Sequence, residues 1–402
     1  MEDNRGRRGP SCTDDFSMLK LLKIPAPIHR DEDLLRPPDS ILLDPYGYIS
    51  ARENDTTARG RLSDGKRIQV TFWAARPPRV SCFTVHCPAL SVGSFTDFPK
   101  ILSTEDDLVL LRVSIRSQRD HHREAISTDR FIYQAGTRTK RPELHRISMP
   151  ADIESSAELP VLLRCRARDM YYIVMLCRRS ISLQRFDVYL FNSKARDWRI
   201  MAMNPAKEIN FYYSSKAITI GGKFGSVGWV DLWHGILIYD VFLNSNQLRY
   251  IALPPPVVPK LLRGPPLVVR DIVVIDGHIK CFDMQAYMKA DINTEYSYIP
   301  DGLEAVTCKM NLSKLDSGWE NDCEIKISDV KLNELLLTTE VKVKDRKLTL
   351  ANAVYPALSL HYDGVVYIMN QLQHYDYKAW VIAVDMRHGA LKDVAYFGSG
   401  RP

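Results

Sequence analysis

The cysteines and histidine near position 85 are the side chains best suited to metal chemistry in this sequence. Cys82, His86 and Cys87 place two thiols and an imidazole within six residues. A structural zinc site uses four ligands, commonly as two close pairs. The gap between the two cysteines lies in a β-rich run, and no second pair is apparent elsewhere. We therefore expect structural cysteines rather than a zinc site.

A second group with metal-binding side chains is His121-His122, flanked by Asp120 and Glu124. Neighbouring side chains on an extended segment point to opposite sides, so the two imidazoles cannot easily share one ion. The surrounding sequence is highly charged, which is typical of a loop in solvent. We interpret it as a solvated loop.

Two carboxylates in a central apolar stretch, Asp231 and Asp240, are possible as a general acid and base. We expect instead that Asp240 caps a turn and that Asp231 bonds nearby backbone groups. Gly221-Gly222-Lys223 lacks the upstream glycine and the hydroxyl residue of a phosphate-binding loop, and no G-x-S-x-G elbow is present. The sequence therefore predicts no catalytic residue, no metal and no cofactor.

Basic residues are concentrated between positions 112 and 146, where nine Lys and Arg accompany four acidic residues. Residues 300–345 have the opposite balance, with six basic and ten acidic residues. Arg binds carboxylates and phosphates in a forked geometry, whereas RNA recognition usually adds aromatic platforms that are scarce here. A solvated face, an acidic protein and nucleic acid remain the alternatives, in that order. The candidate patch for an anionic partner is Arg116, Arg119, Arg123, Arg138, Lys140 and Arg141.

The element at the centre of the chain is predicted to be an antiparallel meander over residues 225–256. Trp229, Asp231 and Trp233 alternate with apolar residues, which predicts one face of a half-buried strand. His234-Gly235 then stands between two apolar runs, as in a two-residue hairpin. We expect both tryptophans to pack against a neighbouring sheet.

Glycines in apparent hairpins indicate a repeat along the chain. They stand at positions 65, 235, 277 and 364, at intervals of 170, 42 and 87 residues. These intervals approximate multiples of a 42 to 43 residue unit, and propeller blades have periods of roughly 40 to 50 residues. We expect an all-β propeller-like array of about six four-stranded antiparallel blades. Five or seven blades, a pair of β-sandwiches and an incomplete barrel are the alternatives.

The central run GWVDLWHGILIYDV, followed by LRYIALPPP, resembles the plant domain-of-unknown-function family 1618, which is expanded in grasses. Residues 307–328 and 41–48 are similar to two further segments of that family, so the resemblance covers roughly residues 39–398. It implies a β-propeller-like architecture and brings no established reaction. The residues that carry this signature are Trp229, Asp231, Trp233, Gly235, Asp240, Pro254 and Trp319.

Composition and length set the domain organisation. The chain has 402 residues, of which 45% are hydrophobic and 25% charged, with a net charge of +6. We expect a short disordered N-terminal arm over residues 1–38 and a single propeller-like domain over residues 39–402. The N-terminus lacks the apolar core of a signal peptide, and no apolar run approaches the roughly 18 residues of a membrane span.

These features together predict a non-enzymatic protein-interaction module in the cytoplasm or nucleus of a plant. The expected partner is a protein, with an acidic surface as one option, rather than nucleic acid or a membrane. A glycan- or small-molecule-binding propeller, including a hydrolase, is the alternative. An F-box-like substrate adaptor is a third alternative, although the N-terminal sequence shows no hydrophobic helical region typical of an F-box.

Overall fold

The fold consists of six β-sheets that follow one another along the chain. The computed structural model describes residues 38–119, 123–150, 153, 159–180, 185–204, 209–243, 245–257, 264–290, 298–328, 353–371 and 378–398. The predicted N-terminal arm lies outside these residues, except for Pro38.

The first sheet differs from the others because two short strands occupy its innermost strand position. Its strands are β1 (Leu42–Leu43), β2 (Tyr48–Ile49), β3 (Ala58–Arg61), β4 (Arg67–Trp73) and β5 (Val80–His86). β3, β4 and β5 are antiparallel, whereas β1 and β2 both run parallel to β5 and pair with successive parts of it. The two short strands therefore share one position, and the blade is four strands wide.

The next three sheets are antiparallel and have four strands each, paired in chain order. The second contains β6 (Lys100–Glu105), β7 (Leu108–Arg119), β8 (Arg123–Gln134) and β9 (Glu143–Ile147). The third contains β10 (Val161–Cys165), β11 (Met170–Ser180), β12 (Arg185–Asn192) and β13 (Asp197–Met203). The fourth contains β14 (Lys216–Gly221), β15 (Ser226–Asp231), β16 (Gly235–Asp240) and β17 (Arg249–Ala252).

The last two sheets repeat this order. The fifth contains β18 (Arg270–Ile275), β19 (His278–Ala290), β20 (Tyr298–Asn311) and β21 (Glu320–Ser328). The sixth contains β22 (Ala353–Leu358), β23 (Val365–Gln371), β24 (Lys378–Asp385) and β25 (Ala390–Gly398).

Helical structure in the described part of the chain is limited to short 3₁₀ turns. They are Val92–Ser94, Arg166–Arg168, Val241–Leu243, Pro266–Val268 and Leu312–Ser317. No helix among the described residues is long and apolar enough to cross a membrane.

Alternation along each strand buries both faces of a sheet against the sheets on either side. In β15, Val227 and Trp229 pack into a core shared with the third sheet, whereas Val230 packs into a core shared with the fifth. Similar cores join the first and second, second and third, and fifth and sixth sheets. A sheet that is apolar on both faces cannot be buried alone, so radial packing of several sheets is the stable solution.

The ring closes between the sixth and first sheets. Tyr367 and Val381 of the sixth sheet pack with Leu42 of β1 and Val80 of β5. The molecule is therefore a six-bladed β-propeller, and each sheet is a blade. The expected fold class and blade count are confirmed, while the parallel inner strands of the first blade were not foreseen.

The glycines that suggested this fold do not recur at the predicted spacing. The inner strands β6, β10, β14, β18 and β22 begin 61, 55, 54 and 83 residues apart, so the true spacing is longer than the predicted unit. Gly277 and Gly364 occupy the same turn in adjacent blades, with φ of 72° and 81°. Their separation of 87 residues is thus one blade and not two.

Gly235 does not belong to the set of turn glycines, and the predicted two-residue hairpin is wrong. The turn comprises residues 232–234, and Gly235 is the first residue of β16, paired with Asp231. A Cβ at Gly235 would lie 2.4 Å from Tyr250 Cε2 and 2.6 Å from the Ile251 carbonyl oxygen. Glycine is needed here because the neighbouring strand approaches closely.

We expect Gly235→Ala to lower the free energy of unfolding by about 1–3 kcal/mol through overpacking. Chemical denaturation of the purified variant measures this loss. A second variant that also carries Tyr250→Leu should recover only part of it, because the Ile251 carbonyl remains in place. A loss that disappears completely in the double variant would contradict the role given to the backbone contact.

Candidate functional site

Two ends of the ring can be distinguished by the turns they carry. In the second to sixth blades, the turns between the second and third strands share one end with the connections between blades, because consecutive strands are antiparallel. We call this end the upper face. The other end, the lower face, carries the turns between the first and second and between the third and fourth strands.

Hairpins of unequal length surround the fourth blade on the upper face. β19 and β20 have 13 and 14 residues, whereas β15 and β16 have six each. β19 continues for seven residues beyond Asp283, the last residue paired with β18, which corresponds to about 23 Å. β11 of the third blade is also long, with 11 residues. The upper end of the fourth blade therefore lies in a recess between taller neighbours.

Asp231 organises the floor of this recess. It has no exposed surface, and its Oδ2 and Oδ1 accept hydrogen bonds from the backbone N–H groups of Tyr212 (2.9 Å) and Trp233 (3.1 Å). Nδ1 of His234 lies 3.0 Å from Oδ1, although out of line for a hydrogen bond. The expectation that Asp231 bonds backbone groups beside its tryptophans agrees with these contacts.

The rings around Asp231 form what we call the aromatic patch: Tyr212, Tyr213, Trp233 and His234. Tyr212 and Tyr213 are 60% and 44% exposed. The Tyr212 ring meets the His234 ring edge to face, with centroids 4.8 Å apart. Trp233 is half-buried, and its Nε1 donates to the Gly264 carbonyl at 3.3 Å.

The negative charge of Asp231 is felt by the phenols around it. Burial raises the pKa of Tyr213, and the Asp231 carboxylate raises it further. The same two causes raise the pKa of Tyr250. Tyr250 supports the turn from below, because its hydroxyl is within 2.9 Å of the Asn210 carbonyl and 3.1 Å of the His234 carbonyl.

Trp233 was expected to share a strand face with Trp229, and this expectation is wrong. Trp229 lies in β15 with no exposed surface, packed against the third blade, and its Nε1 donates to the Leu159 carbonyl at 2.9 Å. Trp233 lies in the three-residue turn after the strand has ended. The alternation of residue types in the sequence therefore extends two residues beyond Asp231, the last residue of the strand.

Beneath Trp233 lies a buried arginine that the sequence reading overlooked. Arg270 is 1% exposed, and its guanidinium carbon is 5.7 Å from the Trp233 ring centroid. It donates to the carbonyls of Leu232 (2.7 Å) and Pro254 (2.8 Å), and its Nε lies 3.2 Å from Asp283 Oδ2. The signal available in the sequence was the pair Arg270-Asp271 inside an otherwise apolar strand.

The central channel contains a cavity of about 310 Å³. Its lining includes Ser103, Thr104, Ser215 and Lys216 among aliphatic residues. Lys216 Nζ lies 2.6 Å from Asp271 Oδ1, and Asp271 Oδ2 accepts from the Leu358 backbone N–H at 2.9 Å. The carboxylate thus joins the fourth, fifth and sixth blades.

Two acidic residues of the innermost strands, Glu105 and Asp271, have different partners. Burial raises the pKa of Glu105, the last residue of β6. Asp271 is the second residue of β18. Asp271 is held by Lys216 and by the Leu358 backbone N–H, whereas the Glu105 carboxyl is hydrogen-bonded to Thr219.

The basic residues predicted as one anionic-partner patch are divided between the two faces. β8 starts at Arg123, opposite Arg119, and ends at Gln134, so the two ends are roughly 36 Å apart. Arg116, Arg119 and Arg123 belong to the upper end. Arg138, Lys140 and Arg141 lie exposed in the β8–β9 turn on the lower face. The single patch is therefore wrong, and the side chains of Arg119 and Arg123 lie outside the described residues.

Arginines further along the chain are mostly held in ion pairs. Arg164 Nε is 3.3 Å from Asp107 Oδ1 in the second blade, and Arg166 pairs with Asp106. On the lower face, Lys140 Nζ also lies 3.3 Å from Glu143 Oε1. The basic stretch of sequence is thus largely a set of contacts within and between blades.

The remaining signature residues have structural contacts. Asp240 does not cap a turn as expected: it accepts hydrogen bonds from Ser226 and from Arg249 across the sheet. The Pro254 carbonyl binds Arg270. Trp319 is half-buried between the fourth and fifth blades and donates to the Ala252 carbonyl at 2.8 Å.

The two cysteines of the first candidate metal group, Cys82 and Cys87, are buried in the first blade. Cys82 and Cys87 are each 1% exposed, and burial raises the pKa of Cys87 to about 12. Among the residues that the structure describes, no cluster of three or more His, Cys, Asp or Glu side chains suits a metal ion. His121 and His122 lie outside the described part.

The aromatic patch includes two residues that the sequence reading missed. Tyr212 and Tyr213 follow Phe211 in the connection before β14, and Asn210 and Ser214-Ser215 flank this run of three aromatics. The run was an available signal for an aromatic cluster, although the structure buries Phe211 and exposes the two tyrosines. Their placement beside Asp231 could not be read from the chain, because 18 residues separate Tyr213 from Asp231.

Comparison with known families agrees with the sequence signature of the fourth and fifth blades. Residues 229–367 match the family described as "Protein of unknown function (DUF1618)". The matched segment begins at Trp229 and contains Asp231, Trp233, His234 and Arg270, whereas Tyr212 and Tyr213 precede it. The search of curated proteins gives no match.

Three solved structures that resemble this chain are 8–10% identical to it in sequence. The WD40 domain of SCAP from fission yeast has a TM-score of 0.33 and 9% identity, covering 88% of this chain and 87% of that one. A glycosyl hydrolase from Bacteroides ovatus has a TM-score of 0.30 and 10% identity, covering 74% and 85%. Trypanosoma rangeli sialidase has a TM-score of 0.37 and 8% identity, covering 84% of this chain and 55% of that chain. These likenesses carry no argument about function.

Proposed function

We propose that this propeller is a non-enzymatic protein-interaction module that binds its partner through the aromatic patch on the upper face. The observation that carries the proposal is the exposure of Tyr212 and Tyr213, 60% and 44%, in a recess between taller hairpins. Exposed aromatic side chains that cluster rather than scatter mark interaction surfaces. Tyr and Trp are also the residues that contribute most to the centres of protein interfaces.

The rigidity of the patch supports the same proposal. Tyr212 and Trp233 are fixed through their backbone N–H groups by the two oxygens of Asp231. Trp233 is fixed further by its bond to Gly264. Residues held in position before binding lose less conformational freedom when the partner arrives.

The channel offers less support for an enzyme. A catalytic pair would require titratable groups that converge with perturbed pKa values. Asp271 is instead engaged by Lys216 and by a backbone N–H of the next blade. Glu105, whose pKa burial raises, is hydrogen-bonded to Thr219 and not to the groups that hold Asp271.

A ligand-binding function is the second candidate because of the channel cavity. Its volume of about 310 Å³ and its hydroxyl groups suit a small polar molecule such as a single sugar unit. A ligand that raises the melting temperature of the parent but not of Lys216→Met would favour this candidate.

We also propose that the protein is found in the cytoplasm or nucleus of a plant cell. The family resemblance and the buried free thiols support this location.

Affinity purification followed by quantitative mass spectrometry tests the proposal. We expect Tyr212→Ala combined with Trp233→Ala to reduce recovery of the specific partner by about tenfold or more, as loss of central interface aromatics does. The matched control is Tyr362→Ala, since Tyr362 is 54% exposed in a lower-face turn of the sixth blade. Thermal unfolding establishes that each variant is folded.

A third variant, used in the same purification, distinguishes binding through the upper face from binding through the lower face. Charge reversal of Arg138, Lys140 and Arg141 to Glu alters the lower face and leaves the aromatic patch intact. We expect the partner to be retained by this variant. Loss of the partner on charge reversal, with retention by the double aromatic variant, would contradict the assignment of binding to the upper face.

A further inference from the structure

The charge of Asp231 is the feature of the aromatic patch that points to a specific ligand chemistry. The carboxylate is fully buried directly under the patch. Among the described residues, His234 is its one ion-pair partner within 4.0 Å. No lysine or arginine of this part of the chain therefore neutralises it at close range.

The nearest buried cation is occupied elsewhere. Arg270 lies beneath Trp233, and its polar partners are the Leu232 and Pro254 carbonyls and the carboxylate of Asp283. Its positive charge is therefore compensated by Asp283. The field at the patch is left with the excess negative charge of Asp231.

Aromatic rings add to this preference for positive charge. The face of a Tyr or Trp ring carries partial negative charge and attracts ammonium and guanidinium groups. Trp233 already shows this behaviour toward Arg270, with 5.7 Å between guanidinium and ring centroid. Tyr212 and His234 lie beside each other at the surface, with centroids 4.8 Å apart.

We propose that the aromatic patch is a cation-binding site that receives a lysine ammonium group, free or methylated, presented by the partner protein. This inference rests on the proposed function, because it names the group recognised by the same surface. The Tyr212 ring, which lies beside His234, contacts the cation, and the buried carboxylate of Asp231 stabilises it without touching it. A neutral group of the same shape gains the ring contacts but not the electrostatic attraction.

A pair of isosteric probes tests this distinction on the full chain. Choline carries a quaternary ammonium, and 3,3-dimethylbutan-1-ol replaces that nitrogen by carbon and is neutral. Ligand-observed NMR titration, with sodium chloride keeping the ionic strength constant, gives both dissociation constants. We expect choline to bind roughly two- to fivefold more tightly, the range for cation–π contacts at an exposed site.

Variants assign the effect to named residues. Tyr212→Ala should abolish the preference for choline, and it should fold, since the Tyr212 side chain is largely exposed. Tyr362→Ala is the control and should bind choline like the parent. Asp231→Asn should lower choline affinity while leaving the alcohol unchanged. If Asp231→Asn fails to fold, the Tyr212→Ala result alone decides whether the patch is the cation-binding site.

Two results overturn the inference: equal affinities for choline and the alcohol, or a choline affinity that Tyr212→Ala leaves unchanged. These outcomes are separate from failure of the proposed function. If the double aromatic variant loses its protein partner while choline shows no preference, the interaction surface stands and the cation site falls. If choline binds as expected but no partner depends on the patch, the site stands as a small-cation site and the interaction function falls.

Discussion

Arg270→Met should lower the free energy of unfolding by about 3–5 kcal/mol, the cost of removing one member of a buried ion pair. The variant leaves the Asp283 carboxylate without its counter-charge and leaves the Leu232 and Pro254 carbonyls without their donor. Met retains much of the volume, so the loss is mainly electrostatic. Equilibrium denaturation by urea, followed by circular dichroism, measures it.

The matched control is Arg249→Met. Arg249 also pairs with an aspartate, Asp240, at 3.0 Å, but its side chain is 46% exposed. Exposed ion pairs contribute about 0–1 kcal/mol, so the control should remain close to the parent. Equal losses in the two variants would show that the burial of Arg270 does not determine its effect.

The loss in Arg270→Met should also depend on pH. Burial raises the folded-state pKa of Asp283, while Arg270 lowers it in the parent. Without Arg270 this pKa rises further above its unfolded value. A carboxyl group with a raised folded pKa favours folding when protonated, and that contribution is lost as the pH rises through the folded pKa. Arg270→Met should therefore recover stability relative to the parent as the pH is lowered toward the pKa of Asp283.

Trp229→Ala should lower the free energy of unfolding by about 3–5 kcal/mol, through lost burial and a residual cavity. Trp229 is among the largest fully buried side chains and packs with Val161, Leu163 and Tyr239 between the third and fourth blades. Its loss also leaves the Leu159 carbonyl without a donor. The same urea denaturation measures the effect.

Trp233→Ala is the control for Trp229→Ala, four residues away in the chain. Trp233 is half-buried in a turn, where its ring lies over Arg270 and its Nε1 donates to the Gly264 carbonyl. We expect less than half the loss seen for Trp229→Ala. A larger loss for Trp233→Ala than for Trp229→Ala would mean that the blade interface tolerates a cavity, contrary to its close packing.

The first prediction concerns the connection between the fourth and fifth blades, which carries part of the aromatic patch, whereas the second concerns the interface between the third and fourth blades. Arg270 joins the turn after β15 to the connection that follows β17, through Leu232 and Pro254. The same turn carries Trp233 and His234. Replacing Arg270 should therefore also displace the patch. For this reason the binding experiments use variants of exposed residues and not Arg270→Met.

The sequence determined the class of fold through local properties. Alternation in the run that became β15 predicted a strand, and the structure gives a strand there whose two faces pack against different blades. Glycines at 65, 277 and 364 predicted turns, because a positive φ is a local requirement that the residue type reveals. The blade count was right, although the interval from Gly277 to Gly364 spans one blade and not the two that were counted.

The tertiary structure alone decided which residues meet. Alternation continues through Trp233, yet the strand ends at Asp231 because that residue pairs with Gly235, and Gly235 is required by the approach of Tyr250 and Ile251 from β17. Basic residues close in sequence were separated by the length of β8, since a strand carries its two ends to opposite faces. Tyr212, Asp231 and Arg270 are distant in sequence and were brought together by the connections into and out of the fourth blade. Periodicity and residue type report conformation, whereas contacts between blades depend on the closed ring, which no local pattern encodes.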